Sequence, residues 1–322
     1  MNHKMNHKIG VQKFSIDTIR QLLLVFMLIL FCILWSCMTP SFLTFDNLIN
    51  ILRQTSYTAI ASIGMTIVII IAQIDISAGS LIAISGLLAA WAFKATGSVF
   101  LAVLAAIFSG VVVGFLNGVI VAKGKLHGFI ATLASMTVLR GLAYIFTGGS
   151  PISVSDQRFT SIGTGYVGFL PIPVIIMVVA VVFGWFIMNK TRFGRYIYAV
   201  GGNSEASQWS GLNVDRIKIT VYLIMGVLTS IAGLIVASRL GSGQPSAGTG
   251  FETQCIAATA IGGTSMYGGK GKIGGTIIGV LLLSVLSNGM TLINVDSYWQ
   301  QVIMGVIIVV AVLIDTKSKR NG

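Results

Sequence analysis

The chain has 322 residues, 55% of them hydrophobic and only 9% charged, against roughly 25% charged in an ordinary soluble domain, so a soluble globular enzyme is excluded. Its 21 Lys and Arg against 9 Asp and Glu give a formal charge of +12, but no basic stripe is interleaved with aromatic platforms, and no nucleic-acid partner is expected. In a chain of repeated apolar runs the basic residues instead mark the cytoplasmic loops.

Taken in chain order, spanning helices are expected at 20–38, 56–74, 78–96, 99–122, 127–147, 171–189, 217–238, 251–267, 273–294 and 297–315. The reason is length: a bilayer core of about 30 Å takes roughly 20 helical residues and tolerates no unpaired backbone. The fold class is therefore all-α, a polytopic integral membrane protein of about ten transmembrane helices with both termini cytoplasmic. A tail over 1–19 and a tail over 316–322 flank a transmembrane domain over 20–315 in contact with membrane lipid. The first run is followed by Ser36-Cys37-Met38-Thr39-Pro40 rather than a small-x-small site, so it is expected to remain as an anchor.

Alternating the spans places Lys4, Lys8, Lys13, Arg20, Lys123, Lys125, Lys190, Arg192, Arg195, Arg216, Lys218, Lys270, Lys272, Lys317, Lys319 and Arg320 in the cytoplasm. Only Arg53, Lys94, Arg140, Arg158 and Arg239 fall toward the outer side, and this asymmetry supports ten crossings. The eighth run is short and carries Glu252 and Gln254, which leaves a re-entrant segment as the alternative. The charge rule favours a full crossing by a broken or tilted helix. Gly110, Gly114 and Gly118, and likewise Gly275 and Gly279, recur every four positions and line helix faces suited to close packing.

Chemistry is sparse. The histidines are His3, His7 and His127, with no HExxH and no GxSxG turn, so neither zinc ligation nor nucleophilic hydrolysis is served, and no catalytic residue or metal site is expected. Cys32, Cys37 and Cys255 lack CxxC spacing and are expected to pack as apolar residues. The run Gly262 to Gly271 fails the phosphate-loop pattern, because Gly271 rather than Ser or Thr follows Lys270; it is expected as a flexible turn. Asp75 is expected to cap the helix that follows it, and Glu252 to favour the positive end of the eighth helix. Neither forms a proton relay, though a carrier driven by a proton or sodium gradient stays as the alternative function.

Two loops stand out. The cytoplasmic stretch 189–218 is the longest polar segment between spans. Within it Asn203 or Ser204 can cap a short helix of about two turns, Glu205 suits its first turn, and Gly211 can end it in the left-handed conformation. Such a helix is either a solvated connector or a docking element for a soluble partner. The outer loop 148–173 contains Asp156, Gln157 and Arg158.

The segments Ile74-Asp75-Ile76-Ser77-Ala78-Gly79-Ser80, Phe129-Ile130-Ala131-Thr132-Leu133, Thr191-Arg192-Phe193-Gly194-Arg195 leading to Ala199-Val200-Gly201-Gly202-Asn203, and Ile256-Ala257-Ala258 with Gly262-Gly263-Thr264-Ser265 occur together along the chain. Taken together, they resemble the permease subunits of bacterial ABC importers for ribose and related monosaccharides. The resemblance implies a multi-pass protein of the bacterial inner membrane, paired with a second copy of itself, two cytoplasmic ABC ATPase subunits and a periplasmic sugar-binding protein. It implies no cofactor in this chain, ATP and magnesium belonging to the ATPase. Its coupling-helix pattern falls on Asn203, Ser204, Glu205, Ala206, Ser207 and Gly211. Candidate pathway groups are Gln73, Asp75, Asn117, Thr132 and Asn288, with hydrogen bonding between helices as the other reading. Asp156, Gln157 and Arg158 are candidates for binding-protein contact.

Overall fold

The computed structural model describes residues 16–320, with side-chain surroundings for 22–309. His3, Lys4, His7, Lys8 and Lys13 of the expected tail lie outside the described residues. The elements are α1 (Ile16–Met38), α2 (Phe45–Ile70), α3 (Ala78–Thr96), α4 (Val99–Ala122), α5 (Gly128–Thr147), β1 (Ile152–Ser153), α6 (Gln157–Thr164), β2 (Tyr166–Val167), β3 (Leu170–Pro171) and α7 (Ile172–Lys190). They continue through α8 (Arg192–Gly202), α9 (Ser204–Trp209), α10 (Val214–Leu240), β4 (Ser242–Gly243), α11 (Phe251–Ile261), α12 (Ile273–Leu292) and α13 (Ser297–Arg320). Among the described residues α3, α4, α5, α7, α10 and α12 are each long and apolar enough to cross a membrane. Helix α1 begins within the expected tail 1–19, and α13 continues through 316–320.

Helix ends follow local chemistry. The Ser98 hydroxyl accepts from the Leu101 amide at the start of α4, and α3 stops at Gly97, whose φ of +67° needs no Cβ. Helix α2 starts at Phe45 rather than 56 because its early polar residues find partners. Asn47 donates to the Phe42 carbonyl, and Arg53 donates to the Thr164 carbonyl at 2.7 Å. From Thr58 to Ile71 every residue of this region is buried, making α2 the central helix against α7, α10, α11 and α12. The outward faces stay apolar, as with Phe100, Leu104, Phe108 and Phe115 of α4.

Helices α4 and α10 pack most closely, for the reason the glycine spacing predicts. A Cβ added at Gly114 would stand 2.5 Å from the Tyr222 carbonyl oxygen, and one at Gly118 would stand 2.8 Å from Ile219 Cα. Gly275 and Gly279 likewise face the backbone of Gly262 and Ala258. Gly114→Leu is expected to force the two helices apart, and overpacking of this kind costs about 1–3 kcal/mol or more. Thermal unfolding in detergent checks it, with Gly141→Ala as the control. Nothing lies within 4 Å of a Cβ at Gly141, so that variant should melt unchanged or slightly higher.

The loops gather at two ends of the bundle. At one end the Gly269 amide donates to the Ile70 carbonyl at 2.9 Å and the Tyr198 hydroxyl to the Gly271 carbonyl at 2.8 Å. This end brings together 71–77, 123–127, 191–213 and 262–272. At the other end β1 pairs antiparallel with β4, and the Gly163 amide donates to the Ser238 hydroxyl.

Three stretches refine the expected layout. The eighth run forms a helix of only 11 residues, about 16 Å long. Before it, 244–250 is a series of turns leading from β4 at one end to α11, so the eighth run is not one continuous spanning helix. The Gly262 to Gly271 run forms the expected turn, fastened by backbone bonds. Its Ser265 amide donates to the Lys270 carbonyl, and Gly263, Gly268 and Gly269 take positive φ to pack it on the end of α2. Finally, 191–202 is helix α8 rather than open loop, with the Thr191 hydroxyl accepting from the Gly194 amide.

Candidate functional site

A break between two buried helices leaves backbone groups that must find partners, and the loop 71–77 between α2 and α3 is such a break. Four of the five candidate pathway residues are drawn there. The Gly128 amide donates to Gln73 Oε1 at 2.7 Å, and the Ile76 amide donates to Thr132 Oγ1 at 2.9 Å. Ser77 donates to Asp75 Oδ1 from both its amide (2.8 Å) and its hydroxyl (2.6 Å). Asn117 Nδ2 donates to Ser77 Oγ at 3.0 Å, and the Ser135 hydroxyl donates to Asn117 Oδ1. Asp75, Asn117 and Thr132 are at most 2% exposed, so the cluster fastens the loop to α4 and α5 in this conformation. Asn288 lies apart, in a reciprocal amide pair with Asn47 at 2.8 and 3.0 Å.

Asp75 does not cap α3. Its carboxylate accepts from the residue two positions on, and Ser77 at the N-cap position makes no side-chain cap bond. The structure therefore needs an acceptor at 75 rather than a charge. Asp75→Asn is expected to retain stability, whereas Asp75→Leu leaves the buried Ser77 donors unpaired, a loss of about 1–3 kcal/mol. Melting temperatures of the two variants in detergent measure the difference.

The turns before α11 are held by an arginine. Arg140 Nη1, from α5, donates to the Pro245 carbonyl at 2.6 Å and the Ala247 carbonyl at 2.8 Å. Gly248 and Gly250 complete the bend with φ of +69° and +77°, after which Glu252 enters the first turn of α11. Irregular backbone at membrane depth survives only where protein groups satisfy it, and Arg140 meets that demand. Its assignment to the outer side by charge counting overlooked this role.

At the end bearing Lys123, Lys190, Arg195 and Lys272, α8 packs Ile197 and Val200 into the core and α9 follows it, largely exposed. Asn203 Oδ1 accepts from the Ala206 amide at 2.9 Å, Glu205 stands in the first turn, and Gly211 has φ +85°. Gly202, Asn203, Glu205, Ala206 and Gly211 are exposed, and Ser204 is half-exposed. Ser207 turns inward, its hydroxyl donating to the Asn203 carbonyl at 2.8 Å. Gly201 packs on the Ile70 carbonyl at the end of α2, which joins α8 to the central helix. Burial raises the Tyr198 phenol above its ordinary range, keeping it a donor to Gly271. Sequence reading missed Trp209, whose side chain is 84% exposed beside these residues; an indole in a six-residue polar helix was the available signal.

In the opposite loop Asp156 caps α6 by accepting from the Arg158 amide, and the Arg158 guanidinium donates to both carboxylate oxygens at 3.2 and 2.8 Å. Those bonds hold the Asp156 carboxyl below its usual range. Gln157 is exposed alongside them. A hairpin follows, with Phe169 79% exposed at its tip. Among the described residues no group of three or more His, Cys, Asp or Glu converges, and Cys32, Cys37 and Cys255 are free thiols.

Comparison with known proteins adds relatives to this geometry. The family model described as "Branched-chain amino acid transport system / permease component" matches residues 47–312. The chain is 46% identical to the ribose import permease protein RbsC of Haemophilus influenzae, over 98% of this chain and 97% of that one. It is 42% identical to RbsC of Bacillus subtilis over 90% and 91% of the two chains. With the L-arabinose ABC transporter permease protein AraH of Azospirillum brasilense it shares 39% over 91% and 86%.

Proposed function

The chain belongs to the permease family whose model it matches, and from that premise we propose that it forms the membrane passage of an ATP-driven importer for ribose or a related monosaccharide. It is a multi-pass inner-membrane permease subunit. The observation that carries the sugar reading is 46% identity to a ribose import permease along nearly the whole chain.

The finer arrangement is part of the same reading. The six long apolar helices, together with α1, α2, the broken crossing through α11 and α13, make ten passages of a transmembrane domain over 20–315. Both termini then lie in the cytoplasm, and the concentration of Lys and Arg around 123–127, 189–218 and 270–272 supports that orientation. The apolar outer faces meet lipid. Two copies of the chain pair with two cytoplasmic ABC ATPases, which carry ATP and magnesium, so this chain hydrolyses nothing and needs no cofactor.

Coupling rests on α9. Asn203, Ser204, Glu205, Ala206 and Trp209 meet the ATPase, while Ser207 and Gly211 hold the helix in shape. Closure of the ATPases on nucleotide pushes this element, and the contact between Gly201 and Ile70 passes the push into α2 as rigid-body rocking. The loop 148–173, with Asp156, Gln157 and Arg158, receives a periplasmic sugar-binding protein. Gln73, Asp75, Asn117 and Thr132 serve as a latch between helices that holds the pathway's frame, and Asn288 with Asn47 as a clasp at the other end.

Impermeant labelling of a thiol introduced at Glu205 in intact and inverted vesicles tests the orientation. Reaction only in inverted vesicles is expected, and reaction in intact ones would remove the docking assignment.

A further inference from the structure

Helix α7 carries an exposed apolar face to a sharp elbow with α8. Val179 and Phe183 are exposed, the half-exposed indole of Trp185 follows, and Lys190 ends the helix. Lys190 stands about 8 Å along the axis from Trp185, and its Nζ lies back over that indole, 5.6 Å from the ring centroid. An order of apolar, aromatic and basic side chains along one helix is the profile of a membrane–water boundary.

The elbow is held tightly. The Thr191 hydroxyl donates to the Ile187 carbonyl at 2.7 Å and accepts from the Gly194 amide at 3.1 Å, and a Cβ added at Gly194 would run into the Ile187 and Met188 carbonyls. With Ile197 and Val200 buried, Arg192 and Arg195, three positions apart, share the exposed face of α8 with Tyr196. Three basic side chains thus stand at one exposed corner. Among the described residues none of them forms an ion pair, whereas Arg158 is spent on Asp156 and Arg140 on two carbonyls. No acidic residue occurs in the sequence between Asp156 and Glu205, and Glu205 and Asp215 at this end pair with none of the three.

We propose that this elbow docks the phosphate headgroup of an anionic phospholipid, drawn from the leaflet on the α9 side of the membrane. The site goes beyond the importer reading and rests only on the chain's being a membrane protein. Charge complementarity sets the partner's sign, since an anionic leaflet surface attracts basic residues beside a spanning helix. The planar guanidiniums of Arg192 and Arg195 suit paired phosphate oxygens, and Lys190 adds a point charge. The apolar surface leading to the elbow decides for lipid over a soluble acidic protein. Acyl chains cover Phe183 and Val179 while the phosphate meets the cations, and a soluble partner would leave those side chains bare. Because α8 runs straight into α9 through Gly202 and Asn203, a held headgroup also fixes the base of that helix.

The test uses the permease with its ATPase in phosphatidylcholine vesicles containing phosphatidylglycerol that carries a photoreactive group beside its phosphate, with the labelled segment mapped after illumination. Labelling of 185–199 is expected. Lys190→Gln combined with Arg192→Gln and Arg195→Gln should lower it about tenfold or more, while a matching phosphatidylcholine probe labels both proteins alike. Lys123, Arg216 and Lys270 are exposed at the same end, and changing these three to Gln removes equal charge while leaving labelling of 185–199 within about twofold, since separated surface charges are screened. Equal labelling of wild type and the elbow variant, or an equal fall in the control, would overturn the site. Labelling that appears only when the ATPase is left out would give this face to the ATPase and overturn it too. Should the triple variant fail to insert, Arg192→Gln with Arg195→Gln keeps Lys190 and is expected to lower labelling about fivefold; no fall would overturn the proposal. Vesicles hold the lipid in both leaflets, so the contact is read in either orientation and without sugar uptake, and its failure is distinct from failure of the importer reading.

Discussion

Arg140→Leu is expected to disable the protein more severely than any other single change considered for its helices. The guanidinium is the donor to both the Pro245 and Ala247 carbonyls, which lie in a stretch that has no helix or sheet of its own. A buried carbonyl left without a donor costs about 1–3 kcal/mol; both bonds are partly buried, and their joint loss is still a sizeable part of a total stability of about 5–15 kcal/mol. The start of α11 is set by the same bend, so uptake should fall at least tenfold even in protein that still folds. Both bonds leave the one nitrogen Nη1; lysine at 140 brings a charged head on a shorter side chain without the planar guanidinium and should recover only part of the loss. Melting in detergent and uptake by the reconstituted importer measure the two consequences. A variant that melts and transports as wild type would show that the bend holds itself.

Trp209→Ala is expected to weaken association with the ATPase by about 30-fold or more, the consequence of losing an aromatic anchor worth about 2 kcal/mol. An indole 84% exposed on a rigid, capped helix has ample surface to bury in a partner's groove and little conformational freedom to lose. Ser207→Ala should change association far less, because that hydroxyl bonds within α9 to Asn203. Bulky residues at Glu205 and Ala206, both exposed, should also reduce co-purification while leaving membrane insertion intact. Equal co-purification of ATPase by wild type and Trp209→Ala would move the docking surface away from α9.

The long helices were legible because bilayer thickness fixes a length and hydrocarbon fixes a composition. Helices α3 and α4 begin and end where their apolar runs and the flanking Gly97 and Ser98 put them. The cap at Asn203 and the left-handed Gly211 were equally legible, being decided within a few residues. What a linear reading could not reach are features made by distant segments. Gln73, Asp75, Asn117 and Thr132 were recognisable as polar groups in apolar surroundings, but only the fold joins them around one loop. The turns before α11 depend on Arg140, more than a hundred residues away. Helix α8 falls in the polar stretch 189–218, where composition alone points to a loop; its Gly201 permits the close approach to Ile70.

The most direct measurement of the central claim is ribose uptake by vesicles containing the permease alone, or with its ATPase, or with ATPase and binding protein together, each with ATP inside or out and with or without a protonophore. The account predicts uptake only in the complete system, only with ATP on the side of α9, and unchanged by the protonophore. Uptake by the permease alone, or uptake that collapses with the protonophore while ATP is abundant, would contradict it.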